Sequence, residues 1–275
     1  MPIVTVGTRT LHWLESSSDG VGKPPLVLLH GLGGDAGFWA AELAALSAPS
    51  PDHRHAAPRR VLALDLRGAG QSVGPLEGIT IEDLAGDVVA VLDAANIARA
   101  DVVGFSMGGL VAQALAVLAP ARVRRLVLAA TFPRTNPQAR LFLDAVASVY
   151  RAGVSPRQMF DLIAPWLFSL SFLADPQHAP YLNYPEDDPN EQPRDTWLAL
   201  LAAMQAFDGG PQLAAIRAPT LVLAGEQDRL ASRCDAEALA NGIAGASLCV
   251  LPGGHLFNVE SPVAFRAAIT RHFDA

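Results

Sequence analysis

The chain has 275 residues, of which 51% are hydrophobic and 17% charged, and its formal net charge at pH 7 is −7. This length suits one domain, or one domain with an insertion, and the acidic balance offers no basic footprint for nucleic acid. No apolar run is long enough to span a membrane, and Cys234 and Cys249 fit neither a metal-site spacing nor a disulfide framework. The N-terminus lacks the pattern of a signal peptide. We therefore expect a cytoplasmic protein whose cysteines are reduced and pack in the interior.

The first predicted elements are strands separated by glycine-rich turns. Residues 3–6 and 10–15 alternate in polarity on either side of Gly7, which predicts an antiparallel hairpin at a sheet edge. Residues 25–30 form an apolar run, as expected for a strand covered on both faces, and lead into the glycine-rich turn 31–34. Such a turn can direct a backbone N–H group into a site instead of into a strand ladder.

Residues 47–59 predict a surface loop, because they are polar, rich in proline and without periodicity. The loop contains His53 and His55 at an alternating spacing. A metal site needs further ligands nearby, and the sequence offers none, so we expect no bound metal.

Residues 60–65 predict another strand, which ends in a second glycine-rich turn. The helix that follows, 80–94, carries its apolar side chains at helical spacing. Thr80 and Asp83 stand at its start, where a hydroxyl and a carboxylate three residues apart can satisfy the first free amides as a capping box. Strands and helices therefore alternate in this half of the chain.

Residues 104–108, with the sequence Gly-Phe-Ser-Met-Gly, lie between a predicted strand, 101–105, and a predicted helix, 110–118. A Gly-x-Ser-x-Gly turn is so tight that the residues two positions before and two positions after the serine, here Gly104 and Gly108, must lack side chains. The turn would expose the Ser106 hydroxyl at the C-terminal edge of the sheet, beside the free backbone N–H of Met107. The pattern also arises by chance in glycine-rich connections, but the strand before it and the helix after it favour a catalytic serine.

The composition changes after residue 131, where strand-like runs disappear and large apolar side chains cluster on short helical patterns. We expect a helical lid, 132–211, inserted between the core parts 1–131 and 212–275 of an α/β domain. An acidic loop, 187–191, lies within the lid. Most lid aromatics must serve its own packing, and a minority should line a substrate pocket. The aromatic residues that we nominate for this pocket are Phe142, Trp166, Phe168 and Trp197.

Two strand ends in the last part of the chain carry further catalytic residue types. A strand over 219–224 ends shortly before Asp228, and a strand over 247–251 ends shortly before His255. Alternating strands and helices imply a mostly parallel sheet, in which sites form at the C-terminal strand ends. Ser106 should therefore meet both residues at one edge. A histidine can accept the serine proton near neutral pH, and an aspartate can orient that histidine and stabilise its imidazolium form.

Each of these assignments has a competing residue. Glu226 could be the acid in place of Asp228, although Asp228 is favoured. His30 could be the base in place of His255, but its place beside the first glycine-rich turn favours a structural hydrogen bond. Each residue alone could also be an ordinary cap or loop residue. A serine, an aspartate and a histidine each follow a predicted strand, in that order along the chain, and three such positions together argue against coincidence.

Five segments together resemble the α/β-hydrolase superfamily. They are His-Gly-Leu-Gly-Gly at 30–34, Asp-Leu-Arg-Gly-Ala-Gly-Gln-Ser at 65–72, Gly-Phe-Ser-Met-Gly-Gly at 104–109, Gly-Glu-Gln-Asp at 225–228 and Gly-Gly-His at 253–255. The order of serine, acid and histidine is also the one expected for this superfamily. The Ser-Met-Gly-Gly sequence and the lid are similar to a group of 3-oxoadipate enol-lactonases, arylesterases and cofactor-free haloperoxidases.

The resemblance implies an α/β-hydrolase fold, a mostly parallel sheet flanked by helices with an inserted helical lid. It implies a triad of Ser106, His255 and Asp228, and an oxyanion hole built from the backbone N–H groups of Leu32 and Met107. It also implies that no cofactor is needed. Serine at the nucleophile position argues against the similar haloalkane dehalogenases and epoxide hydrolases, which carry aspartate there.

These observations predict a serine hydrolase that acts on a small, largely apolar carboxylic ester or lactone. A carbon–carbon bond hydrolase, an acyltransferase or a perhydrolase could use the same site, and a ligand receptor with a slow triad is a further alternative. The expected partner is the small-molecule substrate, with no nucleic acid or membrane, and the protein is expected to be a monomer or homodimer. By the same resemblance, the turn 65–72 is structural. The substrate itself stays open, because periodicity does not show which lid side chains face the site.

Overall fold

The computed structural model describes residues 2–16, 23–47, 59–184 and 191–275, and over these residues the strands form one sheet. The strands are β1 (Ile3–Val6), β2 (Arg9–Glu15), β3 (Leu26–Leu29), β4 (Val61–Leu64), β5 (Ala100–Phe105), β6 (Val123–Ala129), β7 (Thr220–Gly225) and β8 (Ser247–Leu251). Their order across the sheet is β1-β2-β4-β3-β5-β6-β7-β8. β2 pairs antiparallel with β1 and β4, and the remaining neighbours pair in parallel. The expected hairpin at the sheet edge and the mostly parallel sheet are confirmed.

Helices cover both faces of this sheet. The α-helices of the described chain, including those that do not lie on the sheet, are α1 (Ala40–Ser47), α2 (Ile81–Ala94), α3 (Met107–Leu118), α4 (Pro137–Arg151), α5 (Pro156–Leu167), α6 (Leu170–Ala174), α7 (Arg194–Ala206), α8 (Arg233–Gly242), α9 (Phe257–Glu260) and α10 (Pro262–Asp274). Alternate residues of β3 enter two different cores, with Val27 and Leu29 in one and Leu26 and Leu28 in the other. A sheet with helices on both faces requires strands that are apolar on both sides. This explains the continuous apolar run in the sequence.

The start of α2 confirms the predicted capping box. The Asp83 backbone N–H donates to the Thr80 hydroxyl oxygen at 3.1 Å, and the Thr80 backbone N–H donates to the Asp83 carboxylate at 3.0 Å. The Thr80 hydroxyl also donates to that carboxylate, which lowers the pKa of Asp83. The cap satisfies amides that the first helical turn leaves free.

Four α-helices, α4–α7, lie between β6 and β7 in the described chain, and we call residues 132–211 the inserted segment. Its two ends meet, because the Gly209 N–H donates to the Pro133 carbonyl at 2.8 Å. The two ends of the segment therefore lie close together, and its assignment as a lid between two core parts stays a prediction.

Some local expectations fall outside the described residues or are wrong. His53, His55 and most of the acidic loop lie outside the described residues. Cys234 is exposed on α8 and Cys249 is half-buried, so the expectation that both pack in the interior is wrong for Cys234, which lies on the solvent side of its helix. Within the described ranges, no helix is both long and apolar enough to cross a bilayer, and no cluster of three or more acidic, histidine or cysteine side chains could hold a metal ion.

Candidate active site

Ser106 occupies a strained turn between β5 and α3. Its backbone has φ 52° and ψ −118°, in a region that residues with a side chain rarely adopt. Hydrogen bonds hold the turn, since the Ser106 N–H donates to the Ala129 carbonyl at 2.9 Å and the Thr131 hydroxyl donates to the Ser106 carbonyl at 2.8 Å. Such a turn lifts the serine side chain away from both the strand and the helix.

The two glycines that flank Ser106 are required by the close approach of the backbones. A Cβ added to Gly104 would lie 2.7 Å from the Ala112 Cβ. A Cβ added to Gly108 would collide with the carbonyl groups of Leu29 and His30. The structure therefore confirms the reason that the sequence offers for a Gly-x-Ser-x-Gly turn.

Ser106, His255 and Asp228 form one hydrogen-bonded series at the C-terminal edge of the sheet. The His255 Nε2 lies 3.0 Å from the Ser106 Oγ, and the His255 Nδ1 lies 2.9 Å from the Asp228 Oδ2. Because a carboxylate can only accept, the His255 Nδ1 carries a proton and the Nε2 is free to accept the serine proton. The other carboxylate oxygen, Oδ1, accepts the backbone N–H groups of Leu230 and Ala231, both at 2.9 Å.

Burial gives this series a protected environment. His255 is 4% exposed and Asp228 is 8% exposed, and the Phe105 ring meets the imidazole edge-on with 5.3 Å between ring centres. Charges that form in such a site are screened less than charges in water. The arrangement can therefore transfer a proton from serine to histidine and stabilise the ion pair that results.

The rival acid and base occupy different places. Glu226 is exposed at the end of β7. His30 is buried, and its Nε2 accepts the Leu66 backbone N–H at 3.1 Å while its Nδ1 lies 2.8 Å from the Gly31 carbonyl oxygen. Burial lowers the pKa of His30 below its ordinary value. Both ring nitrogens are occupied, which agrees with the structural role predicted for this histidine.

Asp65 organises the turn that follows β4. Its Oδ1 accepts the Ala36 N–H at 2.7 Å, its Oδ2 accepts the Gln71 N–H at 2.8 Å, and the His12 Nδ1 lies 2.6 Å from the same Oδ2. These partners come from three separate parts of the chain. The carboxylate thus holds the glycine-rich turn against the first hairpin, a structural role.

Two backbone N–H groups lie near Ser106 without a role in the sheet. Met107 is the first residue of α3, where a helix leaves its amides without an intrahelical acceptor. Leu32 lies in the turn after β3, and this turn passes beside Ser106, because a Cβ added to Gly31 would lie 3.1 Å from the Ser106 Cβ. These positions suit donors to an oxyanion, and their assignment to that role stays a prediction.

A cavity of about 400 Å³ opens beside Ser106 and His255, and most of its lining is apolar. The inserted segment supplies much of its wall. The buried or half-buried apolar residues that it contributes are Phe132, Ala139, Leu143, Pro156, Met159, Phe160, Ile163, Leu167, Trp197 and Met204. This volume lies within the usual range for small-molecule sites.

One of the four nominated aromatic residues, Trp197, lines this cavity. The structure places the other three outside the lining, because they pack within the inserted segment. Phe142 and Trp166 stack on each other with 4.1 Å between ring centres, which joins α4 to α5. Phe168 stacks on Phe172 at 4.8 Å. The lining residues that the sequence did not single out sit on the same short helices, and only the direction of their side chains distinguishes them.

Polar lining residues away from Ser106 and His255 lie mainly toward the mouth, where Tyr181, Asn183 and Glu191 are exposed. No lysine or arginine is among the described residues that line the cavity. Tyr150 is the exception, because it is polar and buried. Its burial, and to a smaller extent the nearby Glu191 carboxylate, raises the pKa of its hydroxyl. The Arg194 guanidinium lies 4.9 Å from the centre of the Tyr150 ring.

Sequence comparisons support what this geometry suggests. The family described as "alpha/beta hydrolase fold" matches residues 24–262 of this chain. A protein of Variovorax paradoxus named "Putative carbamate hydrolase RutD" is 34% identical over 252 residues, which cover 89% of each chain. The 3-oxoadipate enol-lactonase 2 of Acinetobacter baylyi is 30% identical over 248 residues, which cover 90% of this chain and 87% of the enzyme.

Solved structures give the same result. The crystal structure of the enol-lactonase from Burkholderia xenovorans LB400 superposes with a TM-score of 0.87 and 29% identity, and the match covers 100% of both chains. The fold is therefore shared with this enol-lactonase over the whole length of both chains.

Proposed function

We propose that this chain, which belongs to the α/β-hydrolase fold family, is a serine hydrolase. Its proposed substrate is a small, largely apolar carboxylic ester or lactone. The relatives and structural neighbours of the chain include enol-lactonases, and the chain is accordingly an enzyme that hydrolyses ester-type bonds of small molecules. The observation that carries the finer proposal is the hydrogen-bonded series from Ser106 through His255 to Asp228 at the base of an apolar cavity.

In the proposed reaction, Ser106 Oγ attacks the acyl carbon while His255 Nε2 accepts its proton. Asp228 stabilises the imidazolium, which then donates the proton to the leaving alkoxide, so that an acyl-enzyme remains and an alcohol departs. Water then attacks the acyl carbon and loses a proton to His255, and return of that proton to the serine oxygen releases the acid.

The tetrahedral intermediates carry a negative oxygen that needs donors. We assign this role to the backbone N–H groups of Leu32 and Met107, which flank Ser106 on the β3 side and on the α3 side. Removing one such donor in a hydrolase typically costs about 10²- to 10³-fold in kcat. Both donors are backbone groups, so their support comes from geometry and not from side-chain identity.

The cavity supports a substrate with an uncharged, apolar acyl part. The cavity volume of about 400 Å³ lies toward the lower end of the usual range for small-molecule sites, which suits a small substrate. An anion inside it would meet the Glu191 carboxylate near the mouth and no lysine or arginine among the described lining residues. Each added methylene that finds apolar lining contributes about 0.8 kcal/mol, or about fourfold in kcat/KM, until the cavity is full.

Carbamate hydrolysis is the second candidate, because several relatives carry that activity in their names. Two features of the cavity weigh against it. A carbamate ion has only four heavy atoms and is small for a cavity of about 400 Å³, and its charge would find no cationic side chain among the described lining residues. The proposed substrate fits both the size and the polarity of the cavity better.

The experiment that tests the proposal is fluorophosphonate labelling with mass-spectrometric site mapping, run beside neutral aryl esters and lactones of increasing acyl length. We expect labelling at Ser106 and turnover of neutral esters, both lost in a folded Ser106→Ala variant. Retained hydrolysis in that variant would refute the nucleophile.

A matched pair of esters tests the charge argument in the same assay. A butanoate ester and a hemisuccinate ester of the same phenol differ mainly by a terminal carboxylate. We expect at least about tenfold lower kcat/KM for the hemisuccinate, because burying an unpaired charge costs more than 1.4 kcal/mol. Release of ammonia from carbamate with no turnover of any ester would replace the proposal by the second candidate.

A further inference from the structure

The loop that carries His255, residues 252–256 between β8 and α9, is called the histidine loop below. It is held on both sides by groups outside the proposed triad. Glu260, the last residue of α9, accepts the Gly254 N–H on its Oε1 at 2.9 Å. On the other side, the Leu256 N–H donates to the carbonyl of Leu167 at the end of α5, also at 2.9 Å. The inserted segment thus takes part in fixing the backbone that presents the imidazole.

The Glu260 carboxylate also binds the α5–α6 junction, residues 168–169 between the two helices. The Ser169 N–H donates to its Oε1 at 3.0 Å, and the Ser169 hydroxyl donates to its Oε2 at 2.5 Å. The same hydroxyl oxygen accepts the Phe172 N–H at 3.2 Å as the N-cap of α6. One carboxylate therefore joins the histidine loop to a defined point of the inserted segment.

The backbones at this point are in direct contact. A Cβ added to Gly254 would lie 2.7 Å from the Phe168 carbonyl carbon and the Ser169 nitrogen, so only a glycine allows the histidine loop to pack this closely against the junction. The Leu170 N–H donates to the Gln227 Oε1 at 3.2 Å, in the loop that carries the proposed acid. The α5–α6 junction consequently contacts both the acid loop and the histidine loop.

We propose that Glu260 is a positioning residue that aligns His255 with Ser106, by fastening the histidine loop to the α5–α6 junction. This inference rests on the proposed function, because it takes His255 as the base. Glu260 is not among the residues that line the cavity, so its effect should fall on the chemical steps and not on substrate binding. A displacement of about 1 Å at a reacting group can cost about 10²-fold in rate.

Glu260→Ala removes the acceptor for all three donors, and we expect kcat to fall about 10- to 100-fold with KM changed less than about threefold. The loss should be larger for an alkyl ester than for an aryl ester, because an alkoxide needs the proton of His255 to leave and a phenolate does not. Fluorophosphonate labelling of Ser106 should slow in parallel. Glu260→Gln keeps an oxygen that can accept from the Gly254 and Ser169 N–H groups, so it should restore most of the activity.

Matched variants separate alignment from a general loss of stability. Glu237 is a partly exposed glutamate on α8, paired with Arg233 at 2.9 Å, and Glu237→Ala should keep the wild-type kcat. Ser169→Ala removes only the hydroxyl donor and should give a smaller loss with the same dependence on the leaving group. It replaces Glu260→Ala in the test if that variant does not fold.

Two results would decide against parts of this reasoning, and they are distinguishable. A folded Glu260→Ala protein, or Ser169→Ala in its place, with the wild-type kcat and the wild-type leaving-group dependence overturns the positioning role while the proposed function stands. A wild-type protein that is not labelled at Ser106 and turns over no ester overturns the proposed function itself, and the positioning role with it.

Discussion

Replacing Gly104 by alanine tests whether the close packing of β5 against α3 supports the proposed nucleophile, Ser106. The added Cβ would lie 2.7 Å from the Ala112 Cβ and from the Gly109 Cα. Carbon atoms in contact are ordinarily about 3.5–4.0 Å apart, so α3 must move away from β5 by roughly 1 Å. Overpacking of this kind costs about 1–3 kcal/mol of unfolding free energy, and a shift of that size at Ser106 can cost about 10²-fold in rate.

Gly86 provides the matched control. It lies inside α2, and a Cβ added there would have no neighbouring atom within 4 Å. Gly86→Ala should therefore stabilise the protein by about 0.5–1 kcal/mol, because glycine is unfavourable within a helix. Urea unfolding should shift in opposite directions for the two variants, and the labelling rate of Ser106 should fall only in Gly104→Ala. If Gly104→Ala unfolds at the wild-type urea midpoint and labels at the wild-type rate, the steric reasoning is refuted.

Two further predictions concern the proposed catalytic acid and the pH dependence of the unfolding free energy. Asp228→Asn should lower kcat by about 10³- to 10⁴-fold in ester turnover, because an amide would donate to His255 and favour the wrong tautomer, whereas Glu226→Gln should leave kcat unchanged. Burial lowers the pKa of His30, and of His272, below the ordinary 6.5. The unfolded chain then binds protons that the folded chain does not, so the unfolding free energy should be largest above pH 6.5 and fall as the pH drops below it. Urea unfolding between pH 8 and 5 measures this slope, which His30→Gln should flatten; an unchanged slope would contradict the assignment.

The place of the candidate site follows from the sequence because local backbone constraints determine it. Gly104 and Gly108 are needed where a strand and a helix nearly touch, and such a requirement is visible in a short stretch of sequence. Parallel strands bring their C-terminal ends to one edge, so residues just after β5, β7 and β8 must come together whatever the rest of the chain does. The same reasoning distinguishes Asp228 from Glu226 less sharply, since both follow β7 and only the fold shows which carboxylate turns inward.

The cavity lining follows from the sequence only in part, because it depends on how short helices pack on each other. Phe142 and Trp166 have the size and polarity of pocket residues, but they satisfy each other by stacking across α4 and α5. Trp197 faces the cavity instead, and it lies against the turn after β3, 3.3 Å from the Cβ position of Gly33. Nothing in the spacing of these aromatics distinguishes the two situations.

The proposed role of Glu260 is even harder to predict from the sequence, because two of its three hydrogen-bond donors belong to a residue far away along the chain. Glu260 stands five residues after His255, in a short helix where a glutamate resembles any solvated charge. Its carboxylate reaches Ser169, 91 positions earlier, because the histidine loop and the α5–α6 junction are brought together by the whole fold. We therefore expect the residues of the local turns to determine the reaction chemistry. Contacts of the inserted segment should determine the alignment of His255 and the choice of substrate. Substitutions at the α5–α6 junction should then change kcat, and substitutions on the cavity side of α4, α5 and α7 should change KM and the preferred acyl length.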